Sequence, residues 1–207
     1  EGIAHPILLG NRKVIEELKE ELEFDAEIPI IDQFEEDSLE KREAYARSYW
    51  ELRQRKGSTL YSSRSKMRER NYFGAMMVRE GDADGMISGY SRSYSSVVKP
   101  IFEVIGRASE VSRAATVHVM ITSRGPIFLA DTSLNIDPTA EELAEITRMT
   151  ANLARAFNFE PNIALLSYAN FGSSEHPRAV KVREAIRILH EQEPDLVVDG
   201  EIQTDFA

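Results

Sequence analysis

Two loops rich in serine and glycine carry the side chains best suited to bind an anion. The first loop, residues 167–174 with the sequence SYANFGSS, follows the apolar run 162–166. A helix is predicted from Arg178 to Glu191, with Pro177 suited to its first turn. Small residues allow close backbone approach, hydroxyl and N–H groups donate hydrogen bonds, and a helix N-terminus adds about half a positive charge. The spacing matches neither a P-loop nor G-x-G-x-x-G, so a polar N-cap after a buried strand stays open as the alternative.

The second loop, residues 90–96, also precedes a predicted helix and follows a short strand expected at 86–89. The helix is predicted from Val97 to Ile105, with Pro100 in its first turn, where proline is tolerated. Two cations, Arg92 and Lys99, accompany the serine hydroxyls of this segment. Because charged donors bind phosphate more strongly than neutral ones, this loop is the better anion-site candidate of the two.

Several other chemistries lack the residues that they need. The chain has no cysteine, which excludes disulfides, thiolate metal sites and a cysteine nucleophile. The motifs H-E-x-x-H, G-x-S-x-G and the Walker lysine motif are absent. No metal-ligand spacing relates the four histidines, and ordinary structural roles are expected for His5, His118, His176 and His190. Asp199 and Glu201 lie at a strand end, where α/β proteins gather function, but a solvated turn explains them about as well.

Charge and hydropathy restrict the partners of the chain. Its 207 residues include 25 Lys and Arg against 35 Asp and Glu, a net charge of −10. Nucleic acid and an anionic membrane surface are therefore disfavoured as partners. No apolar run has the length of a membrane span, no signal peptide is recognised, and a cytoplasmic location is expected. Basic residues do cluster at 41–56 and 64–70, so a local anion site is compatible with the acidic total.

The elements that must position the two loops alternate between strands and helices. Short strands are predicted at 6–10, 28–32, 162–166 and 196–199, and a hairpin at 116–130. Helices are predicted at 11–22, 39–55, 59–70, 72–78, 97–105, 139–157 and 178–191. Expected N-caps are Asn11, Ser38 and Thr139, the last in a capping box with Glu142. This order predicts an α/β fold with largely parallel sheets and helices on both faces.

The polar connection at 131–138 is the predicted boundary between two α/β subdomains. The first would cover residues 1–138 and lack its N-terminal part, and the second would begin at 139 and be truncated at 207. The chain starts without methionine and ends where another helix is expected to begin, so a fragment is expected. A cleft between two such units, lined by Ser, Thr, Asn, Gly, Arg and Lys, suits a phosphorylated ligand, although these residues alone do not identify a reaction.

Four segments resemble the phosphate acetyl/butyryltransferase family. They are RQRKG at 53–57, the segment 71–89 that contains NYFGAMMV and GDADGMISG, LSYANFGS at 166–173, and VDGEIQTD at 198–205. The first and third look most like the C-terminal phosphotransacetylase-like domain of the large NADP-dependent malic enzymes. The resemblance implies two α/β subdomains with a cleft, in the architecture shared with isocitrate and isopropylmalate dehydrogenases. It also implies a homo-oligomer, usually a dimer formed through the second subdomain.

The resemblance further implies a chemistry and a set of contacts. In reactive family members the thiol of CoA attacks acetyl phosphate, helped by a carboxylate base and by basic and hydroxyl groups at the phosphate. The implied contacts with CoA or phosphate are Arg92, Lys99, Ser133, Ser167, Asn170, Gly172, Ser173 and Ser174. Lys99 stands where the acyltransferases typically have arginine, so a point charge replaces a bidentate fork. The family's Ser-Arg-Gly segment, which supplies catalytic groups, would lie beyond Ala207, so no catalytic residue is assigned and this chain alone is expected to be inactive.

Three functions are compatible with these observations. The first is an acetyl-CoA-binding regulatory module of an NADP-dependent malic enzyme, which oxidatively decarboxylates malate to pyruvate on another domain. NADP and a divalent metal would then bind only to that other domain. The second is an active phosphate acetyl/butyryltransferase that converts acetyl-CoA and phosphate to acetyl phosphate and CoA. The third is a purely structural oligomerisation domain, whereas the first two imply an acyl-CoA or acyl phosphate as the small-molecule partner.

Overall fold

The computed structural model describes residues 2–207, and the chain separates into two compact units. The first ends at Gly106 and the second runs from Arg107 to Ala207. The two compact units meet between Gly106 and Arg107, about thirty residues before the subdomain boundary expected at 138/139. That boundary stays a prediction. No helix within residues 2–207 is both long and apolar enough to cross a lipid bilayer.

The first unit combines a two-stranded parallel sheet with helices. Strands β1 (Leu8–Leu9) and β2 (Ile30–Ile31) pair with Leu8 opposite Ile30. The described α-helices are α1 (Arg12–Glu21), α2 (Leu39–Arg53), α3 (Leu60–Lys66), α4 (Arg70–Arg79) and α5 (Tyr94–Val104). Short 3₁₀ turns at Glu36–Ser38 and Gln54–Lys56 flank α2, so Ser38 has helical dihedrals and makes no side-chain cap, unlike the expected N-cap. Asn11 does cap α1, as predicted.

The core of the first unit lies between α2 and α4. Tyr45 and Tyr49 of α2, whose spacing of four residues places them on one helix face, are almost completely buried. They pack edge-on against Phe73 and Tyr72 of α4, with ring centroids 5.0 and 5.6 Å apart. Residues 72–77 of α4 are buried in an unbroken run, as expected for a helix surrounded by other elements.

Helix α5 begins three residues before its predicted start, so Pro100 lies in the helix interior rather than in the first turn. Proline has no N–H, and the carbonyl of Ser96, four residues earlier, therefore loses its helical donor. The side-chain amide of Asn71 donates to this carbonyl at 2.9 Å, and its oxygen accepts from the hydroxyl of Ser88 at 2.8 Å. Residues 86–89, where a strand was expected, form a loop without strand pairing. The two hydrogen bonds of Asn71 connect this loop to α5.

The second unit contains an antiparallel hairpin and a parallel β-α-β segment. The hairpin joins β3 (Val117–Thr122) to β4 (Gly125–Ala130), as the sequence predicts. It is followed by α6 (Ala140–Ala156), β5 (Asn162–Leu166), α7 (Pro177–Gln192) and β6 (Val197–Ile202). Phe128 of β4 packs against Phe157 at the end of α6, with ring centroids 6.0 Å apart, so the hairpin belongs to this unit. The predicted capping box of Thr139 and Glu142 begins α6.

Helix α7 covers the parallel pair β5 and β6. Its buried residues Ala185, Ile186 and Leu189 form one core with Leu165 of β5 and Val198 of β6. A parallel pair needs such a crossover helix, because a tight turn cannot return the chain to the same end of the sheet. The predicted α/β class is confirmed, with the parallel strands arranged as two small pairs.

Candidate functional site

The eight predicted contact residues are divided between the two units. Arg92 and Lys99 lie in the first unit, at the start and in the middle of α5. The second unit contains Ser133, Ser167, Asn170, Gly172, Ser173 and Ser174. Each unit therefore has its own set of donors for an anionic group.

The N-terminus of α5 has backbone donors without partners. Ser93 is the N-cap, but its side chain makes no capping hydrogen bond and instead lies 3.5 Å from the hydroxyl of Ser95. Within residues 2–207 the N–H groups of Tyr94 and Ser95 make no hydrogen bond, as in an uncapped first turn. Arg92, immediately before the cap, is exposed and forms no ion pair with any described residue. An anion here would meet free N–H groups, the positive end of the helix and a guanidinium.

A carboxylate further along α5 contacts an arginine and two tyrosines. Glu103 follows Lys99 by one helical turn, and its Oε1 lies 3.6 Å from Nη2 of Arg53 at the end of α2. Its Oε2 accepts hydrogen bonds from the hydroxyls of Tyr49 at 2.7 Å and Tyr72 at 2.6 Å. Glu103 thus contacts Arg53, from the segment RQRKG, and follows the predicted contact Lys99 by four residues on α5.

The ionisation of this cluster follows from its contacts. Burial by itself would raise the pKa of Glu103, but the hydrogen bonds from Tyr72 and Tyr49 and the charges of Arg53 and Lys99 lower it below its usual value. Burial, and then the hydrogen bond to Glu103, raise the pKa of Tyr49 to about 12. Glu103 is therefore a carboxylate at neutral pH, and the tyrosines are neutral donors.

A second basic surface of the first unit has some of its donors already engaged by the protein. Arg42, Arg64 and Arg68 line a groove of about 420 Å³ on α2 and α3, within the basic segments noted in the sequence. Arg64 contacts Glu43 at 2.6 Å, and Arg42 donates to the carbonyl of Gln33 at 2.7 Å. These partners make the groove a weaker anion site than the start of α5.

The loop after β5 uses its backbone donors internally. The N–H of Gly172 donates to Oε1 of Glu201 at 3.0 Å, and the N–H of Phe171 donates to the carbonyl of Glu201 at 2.9 Å. The N–H of Ser173 donates to the carbonyl of Asn170, and the N–H of Asn170 donates to the hydroxyl of Ser173, both at 3.0 Å. A ligand at this loop would thus meet side chains rather than backbone N–H groups.

Glu201 is the acidic residue whose side chain this loop binds in the structure. Its side chain is fully buried, Nε of Arg183 lies 3.7 Å from Oε2, and Oε2 accepts no hydrogen bond from the described residues. Burial rules out the solvated-turn alternative for Glu201, and Asp199 is exposed but lies within strand β6 rather than in a turn. Spacing along the sequence does not reveal this role, because Glu201 and Gly172 are separated by 29 positions.

Side-chain amides hold the same loop to the end of β6. Oδ1 of Asn170 accepts from the N–H of Gln203 at 2.7 Å, and its Nδ2 donates to Oε1 of Gln203 at 3.2 Å. The hydroxyl of Ser174 pairs with that of Tyr168 at 2.9 Å. Serine hydroxyls can both accept and donate, so those of Ser173 and Ser174 keep capacity for a ligand.

The N-terminus of α7 is capped by the protein itself. The ring Nδ1 of His176 accepts from the N–H of Arg178 at 3.3 Å, and Pro177 occupies the first helical position. His176 therefore has the ordinary structural role that was predicted, and the first turn has fewer free donors than the sequence suggested.

Ser133 is placed by a carboxylate that the sequence analysis did not single out. Asp131 accepts hydrogen bonds from the backbone and hydroxyl of Thr116 and from the backbone and side-chain amide of Asn135. The N–H of Ser133 donates to Oγ1 of Thr116 at 3.1 Å. Burial alone would raise the pKa of Asp131, but these donors together hold it far below its usual value.

Comparisons with known proteins agree with these features. The family described as phosphate acetyl/butaryl transferase matches residues 1–207. A phosphate acetyltransferase of Synechocystis is 37% identical over 206 residues, which are 100% of this chain and 30% of that protein. An NADP-dependent malic enzyme of Haemophilus influenzae is 38% identical over 211 residues, 100% of this chain and 28% of that enzyme.

A solved structure is similar over almost the whole chain. The crystal structure of a phosphotransacetylase from Streptococcus pyogenes superposes with a TM-score of 0.82 at 38% identity, and covers 99% of this chain and 62% of that one. The chain thus spans about three tenths of the two curated relatives above and less than two thirds of this solved protein.

Proposed function

Because the chain belongs to the phosphate acetyl/butaryl transferase family, we propose that it binds acetyl-CoA as a regulatory module of an NADP-dependent malic enzyme. It is a phosphotransacetylase-like domain of a kind shared by phosphate acetyltransferases and malic enzymes. In this proposal, malate is oxidatively decarboxylated to pyruvate on another domain, which carries NADP and a divalent metal. A cytoplasmic homo-oligomer is part of the same proposal.

The observation that carries the proposal is the uncapped N-terminus of α5. Two free N–H groups, the hydroxyls of Ser93 and Ser95 and the exposed Arg92 lie within four residues of one another, where a phosphate group gains most from the helix dipole. CoA has several phosphates, and acyl phosphates have one, so both ligands contain a group of the right charge. Lys99 adds a second positive charge on the same helix.

The predicted contacts of the second unit stay part of the proposal. Because the backbone N–H groups from Asn170 to Ser173 are used internally, these contacts would be made by side chains. The hydroxyls of Ser133, Ser167, Ser173 and Ser174 can donate to a polar ligand atom without breaking the hydrogen bonds that shape the loop.

The test is performed on the intact source polypeptide. Malate-dependent reduction of NADP is measured while the acetyl-CoA concentration is raised. The proposal predicts a saturable change in malate turnover, because an effector that prefers one state of the enzyme shifts its population. Malate turnover that does not respond to acetyl-CoA overturns the regulatory role.

A second candidate is an active phosphate acetyltransferase. The supporting observation is that the Synechocystis phosphate acetyltransferase and the Haemophilus malic enzyme match this chain about equally well, at 37% and 38% identity. This candidate predicts that the intact polypeptide forms acetyl-CoA from acetyl phosphate and CoA. Failure to form it under conditions where acetyl-CoA binds would eliminate the candidate.

A further inference from the structure

We propose that the groove on α2 and α3 is a second ligand site, which binds a mononucleotide with its phosphate at Arg42 and Arg68 and its base against Tyr61. The groove has a volume of about 420 Å³, and none of its lining residues lies on α5. The inference therefore goes beyond the proposed function, and it does not depend on acetyl-CoA binding at the start of α5.

The groove lies between one face of α2 and one face of α3. Because residues three and four positions apart share a helix face, Tyr61, Arg64 and Arg68 lie in one row along α3 and the turn that follows it. Arg42 and Glu43 of α2 line the same groove. The contact of Arg64 with Glu43, at 2.6 Å, joins the two faces.

The lining is strongly positive, although the whole chain is acidic. It contains three arginines and one carboxylate, that of Glu43. Glu43 is shared, since it contacts Arg64 at 2.6 Å and Arg47 at 3.2 Å. Within residues 2–207 neither Arg42 nor Arg68 forms an ion pair with a carboxylate. Two guanidinium charges thus remain for a ligand.

The protein holds both of these arginines in place. Nη1 of Arg42 donates to the backbone carbonyl of Gln33 at 2.7 Å, and Nε2 of Gln33 donates to the backbone carbonyl of Arg68 at 3.1 Å. The guanidinium carbon of Arg68 lies 5.3 Å from the centroid of the Phe34 ring. A guanidinium has five N–H donors, so both arginines keep donors for the oxygens of a phosphate. Their prior ordering lowers the entropy that binding must overcome.

An aromatic ring beside these charges selects the class of ligand. Tyr61 is 82% exposed and lines the groove together with Leu39. A nucleotide base can stack on such a ring, whereas inorganic phosphate gains nothing from it. Simple anions are therefore expected to prefer the start of α5. The volume lies near the lower end of the range for small-molecule sites, about 300–1,000 Å³, which suits a single nucleotide.

The experiment is calorimetric titration of the intact polypeptide with AMP, and saturable binding is expected. Arg68→Ala should weaken AMP binding by about tenfold, through loss of a charged contact with the phosphate. Tyr61→Ala should weaken it by about fivefold or more, through loss of base stacking. Tyr61→Phe is the matched control, because it keeps the ring and should bind AMP as the unaltered protein does.

Arg92→Ala is the control for the site. AMP that is bound at the start of α5 would be weakened by this change, whereas AMP in the groove should lose less than about twofold in affinity. Thermal unfolding of each variant checks the fold. Arg68 and Tyr61 are exposed, so their variants should unfold at the same temperature as the unaltered protein.

Four results would overturn the proposal. The first is the absence of saturable AMP binding, and the second is weakening by Arg92→Ala without weakening by Arg68→Ala. The third is unchanged AMP affinity in Tyr61→Ala, which would remove the nucleotide as the class of ligand. The fourth is a loss of binding in Arg68→Ala that accompanies a loss of thermal stability, since packing would then explain it.

Discussion

The buried carboxylate of Glu201 accepts a hydrogen bond from the N–H of Gly172 at 3.0 Å, in the loop whose composition suggested an anion site. The carbonyl of the same glutamate accepts the N–H of Phe171 at 2.9 Å. The loop does bind a carboxyl group through its backbone, but that group is part of the protein. Phosphate recognition through free backbone donors is therefore assigned to the start of α5, where Tyr94 and Ser95 keep theirs.

The first prediction concerns Glu201→Ala. The substitution leaves the buried N–H of Gly172 without its acceptor, so local opening becomes easier by about 1–3 kcal/mol. Hydrogen exchange of the peptide covering residues 167–174 is expected to accelerate by about tenfold or more.

Glu175→Ala is the matched control for this prediction. Glu175 is an exposed carboxylate that contacts the same Arg183, at 3.0 Å. Exposed pairs contribute little, so its removal should leave exchange of the loop nearly unchanged. Equal effects of the two substitutions would contradict a special role for Glu201.

The second prediction compares two glycines at positive φ. A Cβ on Gly200 would lie 2.6 Å from the backbone carbonyl oxygen of Leu165, and the paired strands β5 and β6 cannot move apart without losing hydrogen bonds. A Cβ on Gly172 would meet only the end of the Arg183 side chain, at 3.2 Å. Gly200→Ala should therefore cost more free energy of unfolding than Gly172→Ala, whose cost is about 1–2 kcal/mol from backbone strain. Urea unfolding of the two variants measures the order, and a reversed order would refute the argument.

The third prediction is a dependence of stability on pH. Hydrogen bonds from Thr116 and Asn135 hold the pKa of Asp131 below its usual value, so the unfolded chain binds this proton more readily than the folded chain. The stabilisation is fully present above the ordinary aspartate pKa of about 3.9 and is lost as the pH falls below it. The difference in unfolding free energy between the unaltered protein and Asp131→Asn should shrink as the pH falls below about 3.9. A difference that stays constant would show that Asp131 is not responsible.

The fourth prediction uses the proline of α5. Asn71→Ala leaves the carbonyl of Ser96 without a donor and should destabilise the protein by about 1–2 kcal/mol. Pro100→Ala supplies a backbone N–H four residues after Ser96, so the double variant should lose less than the single Asn71 variant loses. A double-mutant cycle in urea tests this, and simple additivity of the two changes would contradict it.

Sequence patterns sufficed where the determining contacts are local. The Thr139–Glu142 capping box, the Asn11 cap of α1 and the hairpin each depend on residues within a few positions of one another. The family and the α/β class followed from motifs and from the alternation of elements.

The misread features depend on residues distant in sequence. Helix α5 was placed too late because proline is usually found in a first turn, and the compensation by Asn71 comes from another helix. The backbone N–H of Gly172 was expected to be available to a ligand, because its acceptor, Glu201, lies on a later strand. The hydrogen bonds that Glu103 accepts from Tyr49 and Tyr72 could not be predicted for the same reason, because these partners lie on α2 and α4.

If this domain binds acetyl-CoA at the N-terminus of α5, Arg92, which immediately precedes the N-cap, should contact a phosphate of the ligand. Isothermal titration calorimetry with acetyl-CoA, on the intact polypeptide and on its Arg92→Ala variant, measures this contact. Saturable binding at one site per chain is expected, weakened by about tenfold in the variant through loss of a charged contact. Absence of saturable binding, or equal affinity of the two proteins, would contradict it.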